Sequence, residues 1–158
     1  MYDWDNFLLR MKAYPASYHR FQPPCTRDRL QEVENDLGTL PISLKAMLMH
    51  FNGARLFISA GESISIFGIS TIPPLPPLEW APEWSIDKFT PKWRAAGSGR
   101  VSDWAVAMTC YGGLILLDGY ERINEWDTGQ CTWLSRYLSI GEWIENVIKE
   151  GEAMMADS

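Results

Sequence analysis

The order of the predicted elements indicates an α+β fold, with helices first, strands next and one closing helix. Apolar residues recur at helical spacing between residues 3 and 51, and alternation typical of strands follows between residues 56 and 126. Helical spacing returns after Ser139. With 158 residues, 46% of them hydrophobic, the chain is long enough to bury a sizeable core. We therefore expect one domain that spans residues 1–158.

A short helix is predicted over residues 3 to 13, and we expect it to cover the core as a lid. Its apolar residues follow i, i+3, i+4, i+7 spacing and are Trp4, Phe7, Leu8 and Met11. Tyr14-Pro15 ends this helix, because the residue before a proline avoids helical geometry. Pro23-Pro24 then indicates an extended connection to the next element.

Two further helices are predicted between Thr26, a suitable N-cap, and Gly53. The first stops at Gly38, since glycine tolerates the left-handed backbone that often ends a helix. The second begins at Pro41, whose fixed φ suits a first helical turn. Asn52 and Gly53 close it. The two apolar stripes consist of Leu30, Val33 and Leu37, and of Leu44, Met47, Leu48 and Phe51.

Five segments have strand patterns, at residues 56–58, 63–67, 104–108, 114–117 and 122–126. The first two are predicted to form a hairpin with a turn around residues 60–62. The continuous apolar run at 114–117 is typical of a central strand. Gly112-Gly113 and Asp118-Gly119 supply the turns around it.

Residues 72 to 100 are rich in proline and tryptophan, and we interpret them as an irregular insertion without helix or central strand. The segment PPLPP at 73–77 is either a polyproline II ligand or a stiff crossover. Its tryptophans, at 80, 84 and 93, form either an exposed recognition patch or a satellite core, and we expect two of the three in the core.

The last predicted helix starts at Ser139, with Glu142 placed to complete a capping box. Its buried stripe comprises Ile140, Trp143, Ile144, Val147 and Ile148. We expect Gly151 to end it and the residues after Gly151 to fray.

The composition argues against a membrane protein, a secreted disulfide-rich protein and a zinc protein. No apolar run reaches the ~20 residues of a membrane helix, and the N-terminus has acidic residues where a signal peptide is basic. We therefore expect a cytoplasmic protein that is not embedded in a membrane. Three widely spaced cysteines favour neither a disulfide scaffold nor a zinc site. Of these, Cys110 is interpreted as a buried small hydrophobe.

The net charge of −6 comes from the last 41 residues, which hold nine acidic and three basic side chains. The rest of the chain has 11 of each. Nucleic-acid binding requires a basic face, so we do not expect it. The acidic part either favours a cationic protein partner or serves only solubility.

No catalytic constellation is recognisable, and we expect no enzyme, no metal and no cofactor. His19 and His50 stand outside nucleophile motifs and are interpreted as structural histidines. Asp118, Glu125 and Asp127 lack calcium-loop spacing, so we interpret them as turn formers and solvated charges. The Gly-Ser-Gly-Arg segment at 97–100 lacks the lysine and context of a phosphate loop and is predicted to be a flexible turn.

An acidic amphipathic helix followed by a Leu-Pro helix that ends in Asn-Gly resembles the SUKH superfamily, which includes fungal glucan-synthesis regulators and many bacterial toxin-immunity proteins. The matching positions are Glu32, Glu34, Leu37, Gly38, Leu40, Pro41, Leu44, Leu48, Asn52 and Gly53. Residues 104–108, 112–118 and 125–127 and the closing helix are similar to the later elements of that family. The resemblance implies a core over about 27–150 and one mixed, mainly antiparallel sheet of about six strands, flanked by N-terminal helices and a C-terminal helix.

The same resemblance implies a non-enzymatic protein-binding domain, most typically an immunity protein that binds a cognate toxin, often a nuclease. A regulatory or scaffolding module is the alternative. We expect the partner to be a cationic toxin domain, which acidic and aromatic side chains on loops and strand ends would contact. The candidate partner-binding residues are Glu62, Glu79, Trp80, Glu83, Trp84, Asp103, Glu125 and Asp127.

Overall fold

The computed structural model describes residues 1–60, 63–71 and 84–157. Over these ranges the chain forms five helices and a seven-stranded sheet, which confirms the predicted α+β class. The helices are α1 (Trp4–Lys12), α2 (Arg27–Leu37), α3 (Ile42–Leu48), α4 (Ile86–Ala95) and α5 (Ile140–Ala156). The strands are β1 (Arg20–Phe21), β2 (Ala54–Leu56), β3 (Ile64–Ile66), β4 (Trp104–Thr109), β5 (Gly113–Leu117), β6 (Ile123–Asp127) and β7 (Thr132–Tyr137).

The sheet follows chain order from β1 to β7, and each neighbouring pair is antiparallel. The predicted hairpin is the β2–β3 pair. The expected sheet was mixed and had about six strands. The observed sheet has seven strands, and the described strands include no parallel pair. Neither β1 nor β7 was predicted: β1 has two residues, and most residues of β7 are exposed, so it lacks a clear alternating pattern. The fully buried β5 is the predicted central strand.

Two of the N-terminal helices begin at side-chain caps. The Asp3 carboxylate accepts a hydrogen bond from Asn6 N at 3.0 Å, and Thr26 Oγ1 accepts one from Arg29 N at 3.2 Å. α1 covers the core as expected, because the rings of Trp4 and Phe7 pack against Phe51 with centroid distances of 5.5 and 5.8 Å.

Helix α3 ends at Leu48, so the expectation that Asn52 and Gly53 close it was wrong. The Asn52-Gly53 pair instead connects the residues after α3 to the segment after β3. Asn52 Oδ1 accepts a hydrogen bond from Ile69 N at 2.7 Å, and Asn52 Nδ2 donates one to Ile69 O at 2.9 Å. Gly53 has a φ of +94°, and a Cβ there would lie 2.8 Å from the backbone nitrogen of Gly68. This close backbone approach explains why glycine follows the asparagine.

Helix α4 corrects the prediction that residues 72–100 contain no regular helix. Pro91 lies inside α4 and removes one backbone hydrogen-bond donor. The helix nevertheless buries Ile86 and Trp93, and its Thr90 Oγ1 accepts a hydrogen bond from Ala105 N of β4 at 3.1 Å. Tertiary packing therefore outweighs the local proline penalty. Residues 73–77 and Trp80 lie outside the described ranges, so the polyproline segment stays a prediction.

Helix α5 continues to Ala156, so the expectation that Gly151 ends it was wrong. Gly151 instead allows close packing, since a Cβ there would lie 2.5 Å from the Phe57 ring. The start of α5 agrees with the prediction: Ser139 Oγ accepts a hydrogen bond from Glu142 N at 3.1 Å. The Glu142 carboxylate accepts from Leu138 N at 2.6 Å, one residue before the position that a capping box would use. Among the described helices, none has both the length and the apolar character needed to cross a membrane.

Candidate functional site

Two of the candidate partner-binding carboxylates are buried, which corrects the expectation that they are exposed. Asp103 is only 1% exposed, and its Oδ2 accepts hydrogen bonds from Trp93 Nε1 at 2.9 Å and from Arg100 N at 3.1 Å. Glu125 is 5% exposed, and its Oε2 accepts one from the Tyr111 hydroxyl at 3.0 Å. Because these carboxylates are held by internal donors, we exclude both from the exposed binding surface.

The other candidates do not form one patch in the described ranges. Trp84 is 40% exposed, and Asp127 is partly exposed, with its Oδ1 accepting hydrogen bonds from Gly129 N and Gln130 N. Strand pairing places Asp127 beside Gly113, at the opposite end of the sheet from Asp103. The remaining candidates, Glu62, Glu79, Trp80 and Glu83, lie outside the described residues.

The turn between β5 and β6 is held rigidly by the buried carboxylate of Asp118. Its Oδ1 accepts hydrogen bonds from Tyr120 N at 2.8 Å and Arg122 N at 3.0 Å, and its Oδ2 accepts one from Asn124 Nδ2 at 3.1 Å. Burial raises the pKa of Asp118, but these donors and the Arg122 charge outweigh burial and hold it below its usual value. Asp118 is thus a turn former, as predicted, but not a solvated charge.

This turn forms one wall of an open groove of about 570 Å³ that also contacts the starts of α3 and α5. A second groove adjoins it and shares two lining residues, Ile42 and Glu121. Besides Met1, four large apolar side chains on these grooves are between 66% and 85% exposed. They are Ile42, Val101, Tyr120 and Leu138. We call these four residues, with Glu121, Glu142 and Glu145, the turn surface.

The turn surface is acidic. Glu121 adopts a φ of +59°, and its Oε1 accepts a hydrogen bond from Ser43 N at 2.8 Å, which ties the turn to α3. Glu145 accepts from Arg10 at 2.6 Å and from the Tyr2 hydroxyl at 2.7 Å. The bond with Arg10 lowers the pKa of Glu145, so its carboxylate is ionised at neutral pH. Within the described ranges, the residues that line the first groove include no lysine, arginine or histidine.

The apolar residues of the turn surface were not identified from the sequence. Ile42, Tyr120 and Leu138 are 78 and 18 residues apart along the chain, and only the fold brings them to one groove. One local signal was available: a large aromatic residue, Tyr120, directly after the predicted Asp118-Gly119 turn. Large apolar side chains that stay exposed together are typical of interaction surfaces.

The structure also locates the cysteines and the histidines. Cys110 is exposed, which corrects its interpretation as a buried hydrophobe, whereas Cys25 is buried. His19 Nδ1 accepts a hydrogen bond from Phe57 N, and His50 Nδ1 lies 2.7 Å from Ala46 O, consistent with structural roles. In the described part of the chain, no group of three His, Cys, Asp or Glu side chains is arranged to hold a metal ion.

Comparison with known proteins gives one family match. The model of the SMI1 / KNR4 family (SUKH-1) matches residues 24–146, a range that begins just before α2 and ends within α5. All seven residues of the turn surface lie inside that range. No curated protein matches the chain. The family match covers more than half of the sequence, and the chain therefore belongs to the SMI1 / KNR4 family (SUKH-1).

Proposed function

We propose that this chain is a protein-binding domain that acts in the cytoplasm as an immunity protein, binding and neutralising a cognate toxin. Membership of a family that includes immunity proteins supports the proposal. The observation on which it rests most is the turn surface, because four exposed apolar side chains beside three carboxylates match the composition of a protein contact. We propose binding rather than catalysis as the mode of action.

The charge distribution favours a basic toxin domain. The last 41 residues have the whole net charge of −6, and all three carboxylates of the turn surface belong to this part of the chain. An acidic surface accelerates encounter with a basic protein and disfavours acidic competitors. Tyr120 and Leu138 would then serve as apolar anchors, while Glu121 and Glu142 would orient the partner.

The turn surface is preorganised, which reduces the entropic cost of binding. The Arg122 guanidinium lies 4.8 Å from the centre of the Tyr120 ring and 3.4 Å from Asp118 Oδ2. The β5–β6 turn is thus fixed on both sides of Tyr120. Trp84 and Asp127 stay in the proposal as secondary contacts, since both are at least partly exposed.

The test is co-expression with the candidate toxin from the neighbouring gene, followed by kinetic binding measurements. The wild type should rescue growth, and Tyr120→Ala with Leu138→Ala should weaken binding by roughly 2 kcal/mol or more, as expected for anchor residues. Leu9→Ala is the matched control, because Leu9 is an exposed apolar residue on α1 outside both grooves.

Charge reversal tests the electrostatic part separately. Glu121→Lys with Glu142→Lys should slow association, and added salt should slow the wild type towards the same rate. Asp28→Lys, an exposed reversal in the first turn of α2, should leave the rate nearly unchanged. A folded wild type that neither rescues growth nor binds the toxin would contradict the immunity proposal and favour a regulatory or scaffolding module.

A further inference from the structure

A separate, smaller cavity lies between α5 and the strands β3, β4, β6 and β7. It has a volume of about 250 Å³ and shares no lining residue with the grooves of the turn surface. Its volume is below the range typical of drug-sized ligands and suits a single side chain or a small molecule. Its polar lining includes Glu125, Tyr111, Tyr137, Asn146 and Glu150. We call this cavity the Glu125 pocket.

The carboxylate of Glu125 has a hydrogen-bond donor but no counter-charge. The side chain is more than nine-tenths buried, and the Tyr111 hydroxyl donates to its Oε2. Across the described residues, no basic nitrogen lies within ion-pair distance of Glu125 or Glu150. None of the described residues that line the pocket is a lysine, arginine or histidine. A buried negative charge without a counter-charge is costly, and an entering cation would compensate for it.

Neighbouring negative charges strengthen the preference of the pocket for a cation. Burial raises the pKa of the Glu125 carboxyl, and the charges of Glu150 and Asp127 raise it further, against the lowering by the Tyr111 hydrogen bond. Glu150 is exposed at the rim and adds a second carboxylate on the α5 side. A cation in the pocket would interact favourably with both carboxylates.

The remaining lining distinguishes between kinds of cation. Ser135, Asn146 and the hydroxyl of Tyr137 add polar atoms around Glu125, and Asn146 Nδ2 already donates to Tyr137 Oη at 3.1 Å. Trp143 and the two tyrosines supply aromatic surface. A planar guanidinium donates several hydrogen bonds in one plane and stacks on aromatic rings, whereas an ammonium is compact and more strongly hydrated. We propose that the Glu125 pocket binds a guanidinium group, supplied either by a free guanidino compound or by an arginine side chain of a protein partner.

Two probes test this proposal by NMR titration of the full chain. Agmatine represents the free compound, and the blocked peptide acetyl-Gly-Arg-Gly-amide represents an arginine side chain. Either should give saturable shifts at the Trp143 indole N–H and the Tyr111 amide. If only agmatine gives saturable shifts, the natural ligand is a free guanidino compound. If the peptide binds more tightly than agmatine, the ligand is an arginine side chain of a protein partner. The citrulline version of the peptide, which has the same shape without the charge, should give no saturable shift.

Glu125→Gln keeps the size and an acceptor for Tyr111 but removes the charge, and it should weaken binding about tenfold or more. Asp36→Asn is the matched control, because Asp36 is exposed on α2 and does not line the pocket. If Glu125→Gln fails to fold, Glu150→Gln should still weaken binding severalfold. Shifts equal to those from the citrulline peptide, or unchanged binding by folded Glu125→Gln and Glu150→Gln, would overturn the proposal. Because the toxin is absent from these titrations, their failure leaves the proposed immunity function standing.

Discussion

The ring of Phe57 lies against the backbone of Gly151, so closely that a Cβ atom on residue 151 would approach the ring to 2.5 Å. Phe57 is almost fully buried and itself adopts a φ of +53°. Helix α5 can therefore pack over this ring only where it lacks a side chain.

Gly151→Ala should destabilise the protein despite alanine's better helix propensity. We expect a loss of about 1–3 kcal/mol, the usual cost of overpacking a core, measured as the free energy of unfolding in urea. Gly97→Ala is the matched control, since a Cβ at Gly97 meets nothing within 4 Å. Equal effects of the two substitutions would contradict the close packing of Gly151.

Leu48→Ala should cost about 2–5 kcal/mol in the free energy of unfolding, because Leu48, the last residue of α3, is fully buried in the hydrophobic core. Ile42→Ala on the same helix is the control. Ile42 is largely exposed, so its truncation should change stability by no more than about 0.5 kcal/mol. Comparable losses for both variants would show that α3 is packed differently.

The sequence predicts helices best where their ends have local chemistry. Thr26 and Gly38 bracket α2 as expected, because a side-chain acceptor starts the helix and a φ of +99° ends it. Helix α4 was missed because Pro91 lowers helix propensity locally, while the compensating burial of Trp93 against the sheet is a tertiary effect. The extension of α5 past Gly151 was missed because glycine lowers helix propensity locally, while the packing of Gly151 against Phe57 is a tertiary effect.

The candidate site was harder to predict from the sequence than the helices, because no local sequence pattern shows that a single carboxylate is buried. Glu125 and Asp103 follow patterns typical of exposed carboxylates, and the Tyr111 and Trp93 donors that hold them come from elsewhere in the fold. The turn surface is equally hidden, since its members are distant in sequence. Local patterns thus identify elements, while the side chains that meet across elements require the structure.

Acid should destabilise the protein through His19. This ring is only 8% exposed, and burial lowers its pKa to about 4. Between that value and the ordinary value near 6.5, the unfolded chain binds more protons than the folded one. Stability should therefore fall by up to roughly 3 kcal/mol as the pH drops through this window.

His19→Asn isolates this contribution, because its amide oxygen can replace Nδ1 as acceptor for Phe57 N. The variant should be less sensitive to pH, so its stability relative to wild type should improve steadily from pH 7 to pH 4. Urea unfolding at several pH values measures the difference. A constant difference between the two proteins would show that His19 titrates alike in the folded and unfolded states.

Asn52→Ala should destabilise the protein, because the buried Asn52 side chain hydrogen-bonds both the backbone N–H and the backbone C=O of Ile69. The substitution leaves the buried N–H and C=O groups of Ile69 without these hydrogen bonds. Each unsatisfied group should lower the free energy of unfolding by about 1–3 kcal/mol. Asn35→Ala is the control, since Asn35 is exposed and its side chain accepts a hydrogen bond from Gln31 on the same helix. Thermal or urea unfolding measures both variants. A loss at Asn52 no larger than at Asn35 would mean that the Asn-Gly junction does not stabilise the segment after β3.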